Sequence, residues 1–196
     1  MVSGNSHNYR FREKDMKWLA MMILAVGSLI AASVPLQDAG QEVNPVPLKL
    51  MPPEGQVMLF KAKGVGAQIY VCKANADDPG RSKWVLKAPD AVLFDEGGRR
   101  IGRHFAGPTW EAFDDGSKVI GELIEKTPAP KGSDIPWLLL KGEAGGGKGR
   151  FSKVTYIQRV ETEGGLAPSG GCDEAHQGQE VRVKYKATYV FYGVKE

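Results

Sequence analysis

The stretch VRVKYKATYVF, residues 181–191, decides the fold class. Its odd positions carry Val181, Val183, Tyr185, Ala187, Tyr189 and Phe191, while Arg182, Lys184, Lys186 and Thr188 fill most of the other face. Alternation with period two marks a strand with one face in a core and one in water. A helix would scatter those six apolar side chains around its circumference. The reading therefore expects one long strand over Val181–Tyr192, with the six odd side chains pointing inward.

Working outward from that strand, the chain repeats one grammar: a short β-branched or aromatic run, then a turn of Gly, Pro or Asp. Val154–Thr162 is the preceding strand, and Trp137–Leu140 is a continuous apolar run of the kind buried on both faces. Asp114-Asp115-Gly116 is a strong turn between Trp110–Phe113 and Lys118–Ile124, and Gly97-Gly98 leads into Arg100–Phe105. Trp84–Leu86 and Ala91–Phe94 are split by Pro89, and Gly64-Val65-Gly66 reads as the turn of a hairpin between Gln56–Ala62 and Ala67–Lys73. No segment beyond the N-terminal region carries an apolar stripe of period 3.6. The expectation is an all-β domain: an antiparallel sandwich, or a closed or partly open barrel, of about eight to ten short strands with little helix.

The N-terminal region reads differently. Residues 18–34, WLAMMILAVGSLIAASV, are uncharged and follow Arg10, Arg12, Lys14 and Lys17. Ala31-Ala32-Ser33 supplies small residues where a signal peptidase cuts, so residues 1–33 read as a cleaved signal peptide, with Met16 as an alternative start. A single membrane anchor is the rival reading, since the run could just span a bilayer. Residues 34–53, with Pro35, Pro45, Pro47, Pro52 and Pro53, form a proline-rich lead-in, and residues 54–196 form one all-β domain. The expected location is outside the cytoplasm, secreted or in the periplasm or cell envelope, with no stable membrane insertion after cleavage.

Charge and cysteines narrow the function classes. The full chain has a net charge of +3, and without residues 1–33 it falls to +1, too even a balance to argue for nucleic acid as a partner. Cys72 and Cys172 are the only cysteines, an even count that in an oxidising compartment reads as one disulfide.

Gly142 to Lys148 match the spacing G-x-x-x-x-G-K of a phosphate loop. Gly149 follows where Ser or Thr is needed, and a strand follows where a helix is needed, so this is a hairpin loop. The chemically loaded stretch is His104-Phe105-Ala106-Gly107-Pro108-Thr109-Trp110-Glu111. His104, Trp110 and Glu111 offer an imidazole, a flat apolar wall and a carboxylate, and are the candidate binding residues. A hydrogen-bonded core role for the same three is the plainer reading. Because Gly107-Pro108 interrupts the strand, parity leaves open whether His104 and Glu111 share a face. Asp173, Glu174 and His176 add ligand-type side chains without metal-site spacing, so neither a metal nor a cofactor is expected. Gln68, Tyr70 and Gln158 are polar residues that need partners wherever their faces are buried.

Several stretches together resemble one family: Tyr70-Val71-Cys72, HFAGPTWE at 104–111, Gly116-Ser117-Lys118-Val119, IPWLLL at 135–140, VTYIQRVET at 154–162, Gly164-Gly165-Leu166-Ala167-Pro168 leading to Cys172, and Tyr189-Val190-Phe191-Tyr192. In wording and order they are similar to the domain of unknown function family 3455, small secreted proteins, over roughly residues 46 to 193. The resemblance implies no activity, cofactor or catalytic residue, and both cysteines falling in its motifs fits a disulfide. Two function classes follow. The first is an exported, non-catalytic β domain that binds a small molecule, glycan or protein partner. The second is a secreted hydrolase or metal-dependent enzyme built on His104 and Glu111.

Overall fold

The computed structural model describes residues 45–195. Residues 1–33, expected as a signal peptide, and the first part of the expected lead-in lie outside these residues. Eight strands follow in chain order: β1 (Gln56–Asn75), β2 (Asp78–Phe94), β3 (Arg100–Phe105), β4 (Thr109–Ala112), β5 (Lys118–Thr127), β6 (Trp137–Gly146), β7 (Tyr156–Gly164) and β8 (Glu180–Val194). Each pairs antiparallel with its neighbour in sequence, and β8 returns to pair with β1, so the sheet closes into a barrel. The alternation that predicts strands thus resolves to a barrel rather than a sandwich. The only helical turns among the described residues are two three-residue 3-10 turns, Leu48–Leu50 and Glu174–His176.

The C-terminal strand behaves largely as its period dictates. Tyr185, Ala187, Tyr189 and Phe191 are buried in the interior. Val181 and Val183 are only half-buried, because β7 pairs with β8 no further than Tyr185 and the two valines lie on the overhanging end, opposite Tyr70 and Gln68 of β1.

Gly64-Val65-Gly66 is not a turn. β1 runs straight through it, paired with β2 on one side and β8 on the other. The glycines serve close approach instead. A Cβ on Gly64 would lie 2.5 Å from the Tyr189 ring, and one on Gly66 would run into the backbone of Asp90 and Ala91. Nor does Pro89 split β2. It pairs with Gln68 of β1, outside the Ala91–Phe94 stretch where β3 pairs on the other side. That is an edge setting, where the N–H that proline lacks is least needed. The Gly142 to Gly146 stretch continues β6, and the turn after it leads to β7 rather than to a helix.

The connections define two ends. At one end the β6–β7 connection turns Phe151 into the barrel, where its ring lies 5.6 Å from Phe60 and 5.1 Å from Phe191. Phe60 and Phe191 stack at 4.6 Å, so three aromatic rings close this end. The other end carries the β1–β2, β3–β4, β5–β6 and β7–β8 connections. Here Cys72 near the end of β1 is bonded to Cys172 of the β7–β8 connection, with Cα atoms 5.4 Å apart.

A second apolar cluster lies outside the barrel wall. Leu50, from the proline-rich lead-in, is fully buried against Trp137, Leu139, Val160 and Val190, the residues of β6, β7 and β8 that face outward. The Gln158 amide, on the same outer face, donates to the Leu50 carbonyl at 2.7 Å. This answers where Gln158 finds its partner, and it explains why Val190, at an even position of β8, is buried as well.

Candidate functional site

At the end of the barrel opposite the three phenylalanines, the interior holds a cavity of about 420 Å³. Its polar lining comes from the inward positions of four strands: Gln68 on β1, His104 on β3, Arg159 on β7 and Tyr189 on β8, with Trp110 of β4 beside them. Its apolar lining includes Leu138 and Leu140 of β6, with Leu86 and Leu123, 52% and 53% exposed, at the mouth.

Cross-strand pairing places His104 directly opposite Trp110. The two rings stack at 4.2 Å with 10° between their planes, and the Tyr189 ring meets both edge-on at 5.2 and 5.5 Å. Gly121 of β5 makes room for the indole: a Cβ there would sit 2.8 Å from Trp110 Cζ3. His104 Nδ1 lies 3.0 Å from the Thr109 carbonyl. A carbonyl can only accept, so Nδ1 carries the proton and Nε2 is left as an acceptor. Burial drives the His104 pKa from its ordinary 6.5 down to about 3; the Thr109 bond opposes this, and the Arg159 charge adds to it. The imidazole is therefore neutral at any physiological pH.

Glu111 is elsewhere. Adjacent strand residues point to opposite faces, so with Trp110 inward Glu111 is outward. There it pairs with Arg103, Nη2 to Oε2 at 2.7 Å, with Lys118 at 3.8 Å. The structure thus brings together His104 and Trp110 and separates Glu111 from both by the barrel wall. An acid–base pair of His104 and Glu111 cannot meet at one bound atom. Asp173 and His176 bond each other at 2.6 Å within the β7–β8 connection. Among the described residues no group of three or more His, Cys, Asp or Glu is placed to hold a metal ion.

Two cavity residues are not among the sequence candidates for the site: Arg159, and Tyr189, which the sequence places in the core. Arg159 pairs with Leu138 on one side and Tyr189 on the other, which puts its guanidinium on the inner face. Its Nε and Nη2 both donate to the Pro136 carbonyl, at 3.2 and 2.9 Å. Tyr189 is fully buried; burial raises its pKa, and the nearby Arg159 charge pulls the other way. Its hydroxyl lies 3.0 Å from that of Tyr185. The available signal was the parity of VTYIQRVET, where Ile157 and Arg159 share a face: if one is core, the other is interior too.

Gln68 is 2% exposed and Trp110 1% exposed, yet Gln68 Nε2 and Trp110 Nε1 have no hydrogen-bond partner in the protein. Tyr70, two residues along the same face as Gln68, is satisfied by the Gly165 carbonyl at 2.6 Å.

Fold and site together define a class: a closed eight-stranded antiparallel barrel, braced by one disulfide, sealed by aromatic rings at one end and hollow at the other. The chain belongs to the family described as protein of unknown function, DUF3455, whose model matches residues 52–193. No curated protein and no solved structure matches it.

Proposed function

We propose that this domain is an exported, non-catalytic binding barrel whose hollow end receives a small molecule. One observation carries the reading: two buried donors, Gln68 Nε2 and Trp110 Nε1, are left without partners by residues that line the same cavity. A buried donor without a partner costs about 1–3 kcal/mol, and a bound acceptor would remove that cost. The cavity has the size and the mixture of apolar wall with few polar groups found in small-molecule sites. Export is supported by the N-terminal pattern and is compatible with the Cys72–Cys172 bond. Among the described residues, no helix is long and apolar enough to cross a membrane.

The test is a fluorescence titration with the neutral apolar dye N-phenyl-1-naphthylamine. Saturable, one-to-one enhancement is expected for the wild-type protein. Leu123→Trp fills the mouth from an exposed position and should weaken the dye by about tenfold, or about 1.4 kcal/mol, while the protein still unfolds cooperatively. Absent enhancement, or equal affinity in Leu123→Trp, would overturn the reading.

A further inference from the structure

The cavity is lopsided in its chemistry. Among the described residues that line it none is acidic, while Lys87, His104 and Arg159 are basic types. Lys87 is already committed to Glu180 across the rim, and His104 is neutral. That leaves the Arg159 guanidinium as the one fixed, uncompensated charge of the lining. Among the described residues no carboxylate lies within ion-pair distance of it.

Of the five guanidinium N–H groups, the Nε and Nη2 bonds to the Pro136 carbonyl hold the plane in place without supplying negative charge. A half-buried cation held in this way, facing an apolar chamber, is costly unless an anion answers it. The two buried donors of the lining without a partner, Gln68 Nε2 and Trp110 Nε1, call for acceptor atoms as well. The remaining walls, Leu86, Leu123, Leu138 and Leu140, call for an apolar body. A single guanidinium with no second free cation in the lining matches one negative charge rather than two, and its planar fork matches a carboxylate.

We propose that the occupant is a small organic monocarboxylate with an apolar body, its carboxylate accepting from Arg159 and its further acceptor atoms from Gln68 Nε2 and Trp110 Nε1. This rests on the binding reading above and names the ligand class for that cavity.

The experiment displaces N-phenyl-1-naphthylamine, at neutral pH, with a matched pair: 4-phenylbutyrate and 4-phenylbutan-1-ol. The acid should compete at least about tenfold better than the alcohol, as charge-assisted hydrogen bonds require. In Arg159→Met, with its own dye affinity measured first, the acid's advantage should fall to within about twofold of the alcohol. Arg159→Lys, which keeps the charge but loses the fork, should fall between the two. Should Arg159→Met fail to fold, the wild-type ratio and Arg159→Lys carry the test.

If dye binds and both competitors displace it equally, the cavity is a binding site but not for anions, and this inference falls alone. An acid preference that survives unchanged in Arg159→Met also overturns it. If no dye binds, the cavity reading falls and this inference falls with it.

Discussion

Acidification should destabilise the barrel through His104, and the effect is separable from that of every carboxylate. In the folded protein the imidazole is buried and its pKa lies near 3, against 6.5 when free. Between those values the unfolded chain binds a proton that the folded chain refuses, so stability rises with pH across that window. The contribution is complete above pH 6.5 and is lost progressively as pH falls toward 3. From pH 7 to pH 5 the unfolded-state titration spans 1.5 units below 6.5, and at about 1.36 kcal/mol per unit the loss is about 2 kcal/mol. The carboxylates with depressed pKa values, Asp95, Asp115, Glu125, Glu163 and Asp173, release their stabilisation only at lower pH. The assay is urea unfolding at pH 7, 6 and 5 for the wild type and for His104→Phe. The variant keeps a flat ring against Trp110 but loses the Nδ1 bond to the Thr109 carbonyl, so it should be less stable throughout. Its stability should nevertheless fall less over this range, by about 2 kcal/mol. Parallel pH profiles for the two proteins would refute the reasoning.

The remaining expectations are briefer. Breaking the disulfide by Cys172→Ser should cost about 2–5 kcal/mol in urea unfolding, the upper end being the entropy of closing a loop across a separation of 100 residues. Non-reduced, denatured protein should show no reactive thiol. Glu111→Gln should change stability by about 1 kcal/mol or less and leave dye affinity unaltered, because its ion pairs lie on the outer face of the wall. Gly64→Ala should lose about 1–3 kcal/mol as the new methyl displaces the Tyr189 ring, measured by the same unfolding assay. N-terminal sequencing of exported material should begin near Val34; an intact 18–34 segment in the membrane fraction would favour an anchor.

What could be read ahead of the structure was whatever rests on local period. β8 announces itself because its inner and outer residues differ in kind, and the turn at Asp114-Asp115-Gly116 because its residue types suit few other conformations. What could not be read depends on who sits opposite whom. Gly64 and Gly66 look like a turn until the Tyr189 ring and the Asp90 backbone are seen to need the space. His104 and Glu111 look like partners until cross-strand pairing sets His104 against Trp110 and Arg103 against Glu111. β7 carries apolar residues on both faces, because the lead-in covers its outer side through Leu50; its parity groups Arg159 with Ile157 without telling which face is the inside. Cys72 and Cys172 needed no geometry, since two cysteines allow one pairing.

The overhang of β2 has a consequence for how the protein behaves in a crowd. A closed ring offers no free backbone to a neighbour, but from Asp78 to Asp90 β2 hydrogen-bonds as a strand with β1 alone. That stretch is a potential template for edge-to-edge aggregation. It is also interrupted by Pro89 and studded with Arg81, Lys83, Lys87 and Asp90, the residue types that discourage a second chain from adding as a strand. Replacing Lys83 and Lys87 with threonine would remove two of these gatekeepers, and self-association at high concentration should rise.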